Sequence, residues 1–323
     1  MFTLLLSVLC NAQVVRKRTL MLMGSRFDIT LVAKDRETAE RYIDTAVVEI
    51  TRIENLISEW RPETQVSLLN KNAGIQPVNV DKELYDLTER ALYFSKITDG
   101  AFDISFAAMD NIWKFDGTMT EMPSAEAIKK SVAHVGYKNI VLDKEKQTIF
   151  LKKEGMKIGF GSIGKGYAAD KARELLIAKG LLAGIINASG DMNTWGTQPD
   201  GKPWTAGITN PANKNKVFAV FPLDKESAIV TSGSYEKYVM LNGKRYTHII
   251  NPVTGYPAAG LSSVTVAGPS AEMANGFSTA IMVLGKDAGL CLINQFPILK
   301  CIVVTDSGKV FSSKNIDINQ YKP

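Results

Sequence analysis

From Glu37 to Ile57 the apolar residues Ala39, Ile43, Ala46, Val47, Ile50, Ile53, Leu56 and Ile57 recur at intervals of three and four, which puts them on one face of a long helix. Such a face must be buried against a second layer. The stretch before it, TLMLMGSRFDITLVA (19–33), alternates apolar and polar residues on both sides of Gly24, the period of a strand or hairpin pair. The pattern predicts a second helix near Lys82 to Ile97, with Leu84, Leu87, Ala91 and Phe94 on one face, and a third at SAEAIKKSVAHV with Ser124 as its cap. IVLDKEKQTIFLKK reads as a hairpin, YAADKARELLIAKG as a helix closed by Gly180, and AGIIN as a strand. In the last third, FAVFPL, AIVTSG, SSVTVAG and CIVVTD read as strands around one helix near Ala271 to Leu284. Helices and strands mix without regular βαβ repetition, so the expected fold class is α+β rather than a doubly wound sheet. No repeat, low-complexity segment or Pro/Gly/Ser linker divides the chain, so residues 19–323 are expected to form a single mixed domain.

The start, MFTLLLSVLCNAQVV, has the apolar run of a signal peptide without its positive n-region, so residues 1–18 read as a signal-like leader and short linker. Export to the periplasmic side is the expectation, with either cleavage after small residues or a lipid anchor at Cys10. Leu9 is large for a lipidation site, and the run is too short to span a bilayer. Cys291 and Cys301 lie in apolar surroundings and are expected to be buried free thiols. No Cys/His spacing suggests zinc. The net charge of +5 is mild and the run Arg16-Lys17-Arg18 is short, which argues against nucleic acid as a partner.

GFGSIGKGYAAD (159–170) matches G-x-G-x-x-G and, up to Lys165, a P-loop. A P-loop needs Ser or Thr after the lysine to hold Mg²⁺, and Gly166 stands there. A dinucleotide fingerprint needs a strand before the first glycine, for which MKIGFG offers only a short candidate, so a nicotinamide dehydrogenase is a distant reading. The physical content left is a turn where a ligand can approach the backbone closely, at a helix start that attracts phosphate, beside a lysine. A plain strand-to-helix turn with a surface lysine fits as well.

Further motifs stand in order around it: MGSRFDITL, LISEWRPETQVSLLN, TDGAFDIS, INASGD, IVTSGSYEKY, YTHIINPVTGYP and SAEMANGFSTAIMVLG. In this order and spacing the chain resembles the ApbE family, the FAD:protein FMN transferases, over nearly its whole length after the leader. The resemblance implies an enzyme that binds FAD and Mg²⁺, transfers FMN to a Ser or Thr hydroxyl of an acceptor protein, and releases AMP. Such an acceptor would be an FMN-carrying subunit of a membrane redox complex. It further implies FAD contacts from Met23, Trp60, Ala101, Phe102, Asp103, the position of Gly159, Lys165 at the pyrophosphate, and the backbone of Ile249. A metal site would come from the Ser162 carbonyl, Asn275, Ser278 and Thr279. His248 and Asp191 are candidate bases for the acceptor hydroxyl.

The residues alone leave other uses open. Met23 could be core, Trp60 a half-exposed aromatic after a helix, Asp103 a cap for a helix near Ser105, Thr279 a partner of its own backbone, and His248 a support for its loop. His134 lies outside the motifs and reads as structural or exposed. The chain also departs from the family, which usually has aspartate at the positions of Gly159, Asn275 and Asn251, and in some members an acid at Ser278. Fewer carboxylates mean weaker binding of a hard divalent cation. An FAD store without transfer activity, and an FAD pyrophosphatase that uses water, are therefore the alternative functions.

Overall fold

The computed structural model describes residues 13–210, 213–223 and 226–321. The chain begins with the hairpin β1 (Val14–Leu22) and β2 (Ser25–Ala33), then α1 (Arg36–Ile57), α2 (Gln65–Lys71), β3 (Val78–Asn79) and α3 (Lys82–Ile97). It continues with α4 (Ala125–Ser131), β4 (Ile140–Asp143), β5 (Thr148–Leu151), α5 (Gly164–Ala178), β6 (Ala183–Ala188) and β7 (Asp191–Trp195). Next come β8 (Thr205–Asn210), β9 (Asn213–Pro222), β10 (Glu226–Gly233), β11 (Tyr238–Leu241), β12 (Lys244–Thr247) and β13 (Leu261–Gly268). The chain closes with α6 (Ala271–Leu284), α7 (Lys286–Ile293), β14 (Lys300–Thr305) and β15 (Val310–Ser312).

The frame is one eight-stranded sheet in the order β1-β2-β6-β7-β10-β13-β14-β15, and every described pairing in it is antiparallel. Smaller sheets β3-β5-β4, β8-β9 and β11-β12 flank it. The α+β reading therefore describes the architecture. One face of the large sheet is covered by α1, α5 and α6, whose apolar sides join Phe27, Ile29, Leu31, Val230, Val264 and Val266 in a single core. A smaller cluster of Trp204, Leu223 and Ile229 lies apart from it.

Helix α1 forms where the period predicted it. Its Asp35 cap accepts from Thr38 N, and Ile43, Ile50 and Ile53 are fully buried. Each such side chain contributes about 1.5–3 kcal/mol through burial, so the stripe holds the helix onto the hairpin. The basic run Arg16-Lys17-Arg18 on β1 is taken up by acids nearby. Arg16 and Arg18 pair with Glu40, Arg18 also with Asp44, and Lys17 with Asp28. Desolvation would raise the pKa of Asp28, but hydrogen bonds from Thr19 and Arg26 and the Lys17 ion pair bring it down to about 2.

Helices α5 and α6 meet closely. A Cβ on Gly166 would lie 2.7 Å from the carbonyl of Ala271, so only glycine lets α5 approach the α6 N-terminus this far. The buried Asp170 of α5 joins them: its carboxylate accepts from Ala271 N (3.0 Å), Glu272 N (2.9 Å) and Ser270 Oγ (2.8 Å), and from Asn193 Nδ2 of β7 (3.2 Å). A carboxylate on the first amides of a helix also complements its positive end.

Four expectations need correction. β1 begins at Val14, so the last residues assigned to the leader and linker belong to a sheet strand. MKIGFG is not a strand; Met156, Ile158 and Phe160 are buried, but no ladder partner lies beside them. Cys301 is a buried free thiol whose pKa desolvation raises to about 12, whereas Cys291 is free and exposed. β7, α2 and α7 went unread because their sequences carry little periodicity. The leader itself, Cys10 included, lies outside the described residues.

Candidate active site

A cleft of about 560 Å³ opens where the loop after α1, the segment 101–115, the turn before α5, the β6–β7 turn, the loop after β12 and one side of α6 converge. Most of the positions singled out in the sequence meet there.

One end of the cleft is built by Gly161, Ser162 and Lys165. Helix α5 starts at Gly164 behind Ile163, and no side chain caps it. Its first amides and the Lys165 ammonium therefore offer a joint site for an anion. Across from them is Asp191, the first residue of β7, set there by a tight turn in which Ser189 (φ 57°) and Gly190 (φ 102°) are left-handed. Asp191 is buried, with Oδ2 3.4 Å from Lys165 Nζ and no hydrogen-bond partner on that oxygen. Burial raises its pKa, opposed by the Lys165 charge and the Asn275 amide.

On α6, Asn275 and Thr279 are one turn apart on the cleft side, and Thr279 Oγ1 donates to Asn275 Oδ1 at 3.1 Å. With Oδ1 so engaged, the amide nitrogen of Asn275 is the end that faces Asp191. Ser278 departs from the expected metal set. It is fully buried, shares a hydrogen bond with Ser232 Oγ (2.9 Å), donates to the Asn275 carbonyl, and is not in the cleft wall.

His248 lines the cleft from the loop after β12, and its Nδ1 lies 3.0 Å from the Lys237 carbonyl. A carbonyl only accepts, so Nδ1 carries the proton and Nε2 keeps its lone pair. Desolvation lowers the pKa of His248; the hydrogen bond to the Lys237 carbonyl opposes this and the Lys237 and Lys165 charges add to it, so the site favours the neutral ring. In the same loop Asn251 accepts from Val253 N (2.9 Å) and Thr254 N (3.2 Å). Asparagine holds that turn as aspartate would, so the missing acid at 251 has a structural use. His134 is exposed, away from the cleft.

The remaining wall is formed by Ala101, Phe102 and Asp103, followed by a 3-10 turn, Ile104–Ala108. Phe102 packs edge-to-face on Phe94, which packs on Phe277 of α6, with centroids 5.7 and 5.6 Å apart. Asp103 has a second use: it accepts from Ser105 N (2.7 Å), Ser105 Oγ (2.7 Å) and Tyr137 N (2.8 Å). Burial raises its pKa and these bonds oppose the rise. Ile249 and the Trp60 ring complete the rim, Trp60 being 86% exposed. Met23 stands apart, at the β1–β2 turn with φ 50° and its N–H 3.3 Å from Glu54 Oε2. Gly159 lines the cleft beside Glu59, a residue the sequence reading passed over.

The oxygen donors fit a hard cation. Asn275 Oδ1, Thr279 Oγ1, the Ser162 carbonyl and Asp191 Oδ2, which is ion-paired with Lys165 but accepts no hydrogen bond, offer one carboxylate and neutral oxygens. Mg²⁺ is commonly held by one or two carboxylates plus substrate phosphates. Among the described residues no group of three or more His, Cys, Asp or Glu forms a cage of its own, so phosphate would have to complete the set.

The comparisons agree with this geometry. The profile of the ApbE family matches residues 23–303. The FAD:protein FMN transferase of Treponema pallidum (strain Nichols) is 30% identical over 277 residues, covering 81% of this chain and 76% of its own. A Klebsiella pneumoniae (strain 342) protein of the same name is 30% identical over 294 residues and 90% of each chain. The crystal structure of the ApbE protein from Thermotoga maritima superposes with a TM-score of 0.85 at 29% identity, over 96% of this chain and all (100%) of that one. The apo Pseudomonas stutzeri flavinyl transferase ApbE gives 0.81 at 28% identity, over 94% and 96%.

Proposed function

The chain belongs to the ApbE family, and we infer that it is an FAD:protein FMN transferase, moving FMN from FAD onto an acceptor protein. The observation that carries this reading furthest is the meeting, in one cleft, of an anion-binding helix start with Lys165, an oxygen-donor face at Asn275 and Thr279, and a neutral His248.

Lys165 and the first amides of α5 would hold the pyrophosphate of FAD, and the walls at Phe102 and Ile249 would receive its rings. A Ser or Thr hydroxyl of the acceptor enters past the rim. Its oxygen attacks the phosphorus on the FMN side, and the bond to the bridging oxygen breaks. AMP leaves with that oxygen, and the hydroxyl proton passes to His248 Nε2. An imidazole held neutral, with Nδ1 fixed on a carbonyl, suits that transfer. Asn275, Thr279, the Ser162 carbonyl and Asp191 would hold Mg²⁺, which when bound neutralises charge on the transferred phosphoryl group. Lys165 opposes the rise that burial gives the Asp191 pKa, a contact that favours Asp191 as a charge partner over a base.

The leader-like start supports an exported enzyme whose acceptor lies on the periplasmic side, such as an FMN-carrying subunit of a membrane redox complex. The test is an intact-mass assay with FAD, Mg²⁺ and an acceptor domain bearing a flavinylation threonine. An acceptor heavier by one FMN group is the expected result. Free FMN and AMP formed at the same rate with and without acceptor would identify a pyrophosphatase instead, and FAD retained unchanged would identify a binding protein.

A further inference from the structure

Glu59 follows directly on α1, and its backbone is clamped: Ser67 Oγ donates to the Glu59 carbonyl (3.2 Å) and Thr64 Oγ1 to that of Ser58 (2.6 Å). The side chain is turned into the cleft wall. Its Oε2 is buried without a hydrogen-bond partner. Leaving a buried carboxylate oxygen unpaired costs about 1–3 kcal/mol or more, which a fold tolerates where a ligand supplies the missing donor.

Gly159 shows that this placement is built in. Its backbone is not left-handed, so conformation does not call for glycine. Space does: a Cβ at 159 would fall on Glu59 Oε2 and lie 3.0 Å from the Ala107 Cβ. The carboxylate of Glu59 thus occupies the place where a side chain at 159 would enter the cleft. The two positions, remote in sequence, form one unit, acid on one wall and vacancy on the other. Burial raises the pKa of Glu59, with the Lys157 charge opposing, as for a carboxylate that awaits a partner.

We propose that Glu59 is a specificity-determining residue of the dinucleotide site, its Oε2 accepting a hydrogen bond from an N–H at a ring edge of bound FAD, and that Gly159 is the space that admits it. This rests on the reading of the cleft as an FAD site. The donor is either the exocyclic amine of adenine or the N3–H of the isoalloxazine. Both present an N–H in the plane of a heterocycle, the geometry a fixed carboxylate recognises.

The experiment measures the binding of FAD, ADP and FMN to wild-type protein, Glu59→Ala, Glu59→Gln, Gly159→Asp and the double variant Glu59→Ala/Gly159→Asp, with thermal melts as a control for folding. Glu59→Ala is expected to weaken FAD about tenfold or more, the effect of losing a hydrogen bond to a charged acceptor. Glu59→Gln, which keeps an acceptor oxygen, should lose less. Gly159→Asp alone should bind worse than wild type, because its Cβ meets Glu59. The double variant, with the acid supplied from the opposite wall, should recover most of the affinity lost in Glu59→Ala. A parallel loss for ADP assigns the contact to adenine, and one for FMN assigns it to the flavin. Glu59→Ala binding all three ligands as wild type does would overturn the proposal, as would a loss that the double variant leaves unrepaired. Wild-type protein that binds no FAD would overturn the site reading itself, and the proposal with it.

Discussion

Lys165 Nζ stands 3.4 Å from Asp191 Oδ2, so the cation at the start of α5 is oriented by a buried carboxylate. Replacing Lys165 with Met should weaken FAD binding about tenfold to a hundredfold, the range for a hydrogen bond to a charged group. It should also destabilise the unliganded protein by leaving Asp191 buried and unpaired. The pair Lys165→Met/Asp191→Asn should regain stability without regaining FAD affinity. Flavin fluorescence titration and urea unfolding read the two effects separately. A single variant with unaltered FAD affinity would remove Lys165 from the phosphate site.

The same carboxylate belongs to the proposed metal site. Asp191→Asn should raise the Mg²⁺ concentration needed for half-maximal transfer by about tenfold or more, since it removes the one carboxylate of the donor set. Asn275→Asp should act in two directions. Without metal, two facing carboxylates repel and the melting temperature should fall below wild type; with Mg²⁺ it should rise above its own metal-free value by more than wild type does. A variant whose melting is indifferent to Mg²⁺ would take position 275 out of the metal site.

The pH dependence follows from His248. A base must be neutral to accept a proton, so kcat/KM should fall as the pH drops through the His248 pKa. Burial lowers that pKa, so the acid limb belongs below the ordinary histidine value of about 6.5. His248→Gln should lose this limb and about a hundredfold or more in rate while FAD affinity changes little. An acid limb that persists unchanged in the variant would assign the base elsewhere.

Asp170 should matter to folding before it matters to chemistry. Asp170→Ala removes the acceptor for Ala271 N, Glu272 N and Ser270 Oγ, leaving amides at the α6 N-terminus unpaired and buried. The expected cost is about 3 kcal/mol or more by urea unfolding. Asp170→Asn, which keeps one acceptor oxygen, should cost less. An Ala variant as stable as wild type would mean that α6 is held by its apolar face alone.

Much of the scaffold was legible because its signals are local. The helix at Lys82–Ile97 lies where its apolar spacing puts it, and a helix spans Ala271–Leu284 as read. MKIGFG misled because buried alternation looks the same whether or not a ladder partner exists. β7 was invisible because DMNTW carries the polar residues of a site in the middle of a sheet. At the cleft, ordered motifs brought out Lys165, Asn275, Thr279 and His248, whereas Ser278 was misjudged since helical spacing does not fix which side of α6 meets the cleft. Glu59 could not be read at all: its significance lies in the atom it sets against Gly159, a relation that exists only in space.

The α5–α6 joint through Asp170 and Gly166 has a consequence for how such an enzyme can diversify. Lys165 and the Asn275–Thr279 face ride on two helices fastened to each other, so the spacing between the proposed phosphate and metal contacts is inherited as a block. Trp60 and Val253, both exposed, sit on separate loops outside that block. New acceptor proteins can be accommodated by exchanging residues in those loops, one at a time, while the phosphoryl-transfer geometry beneath is left undisturbed.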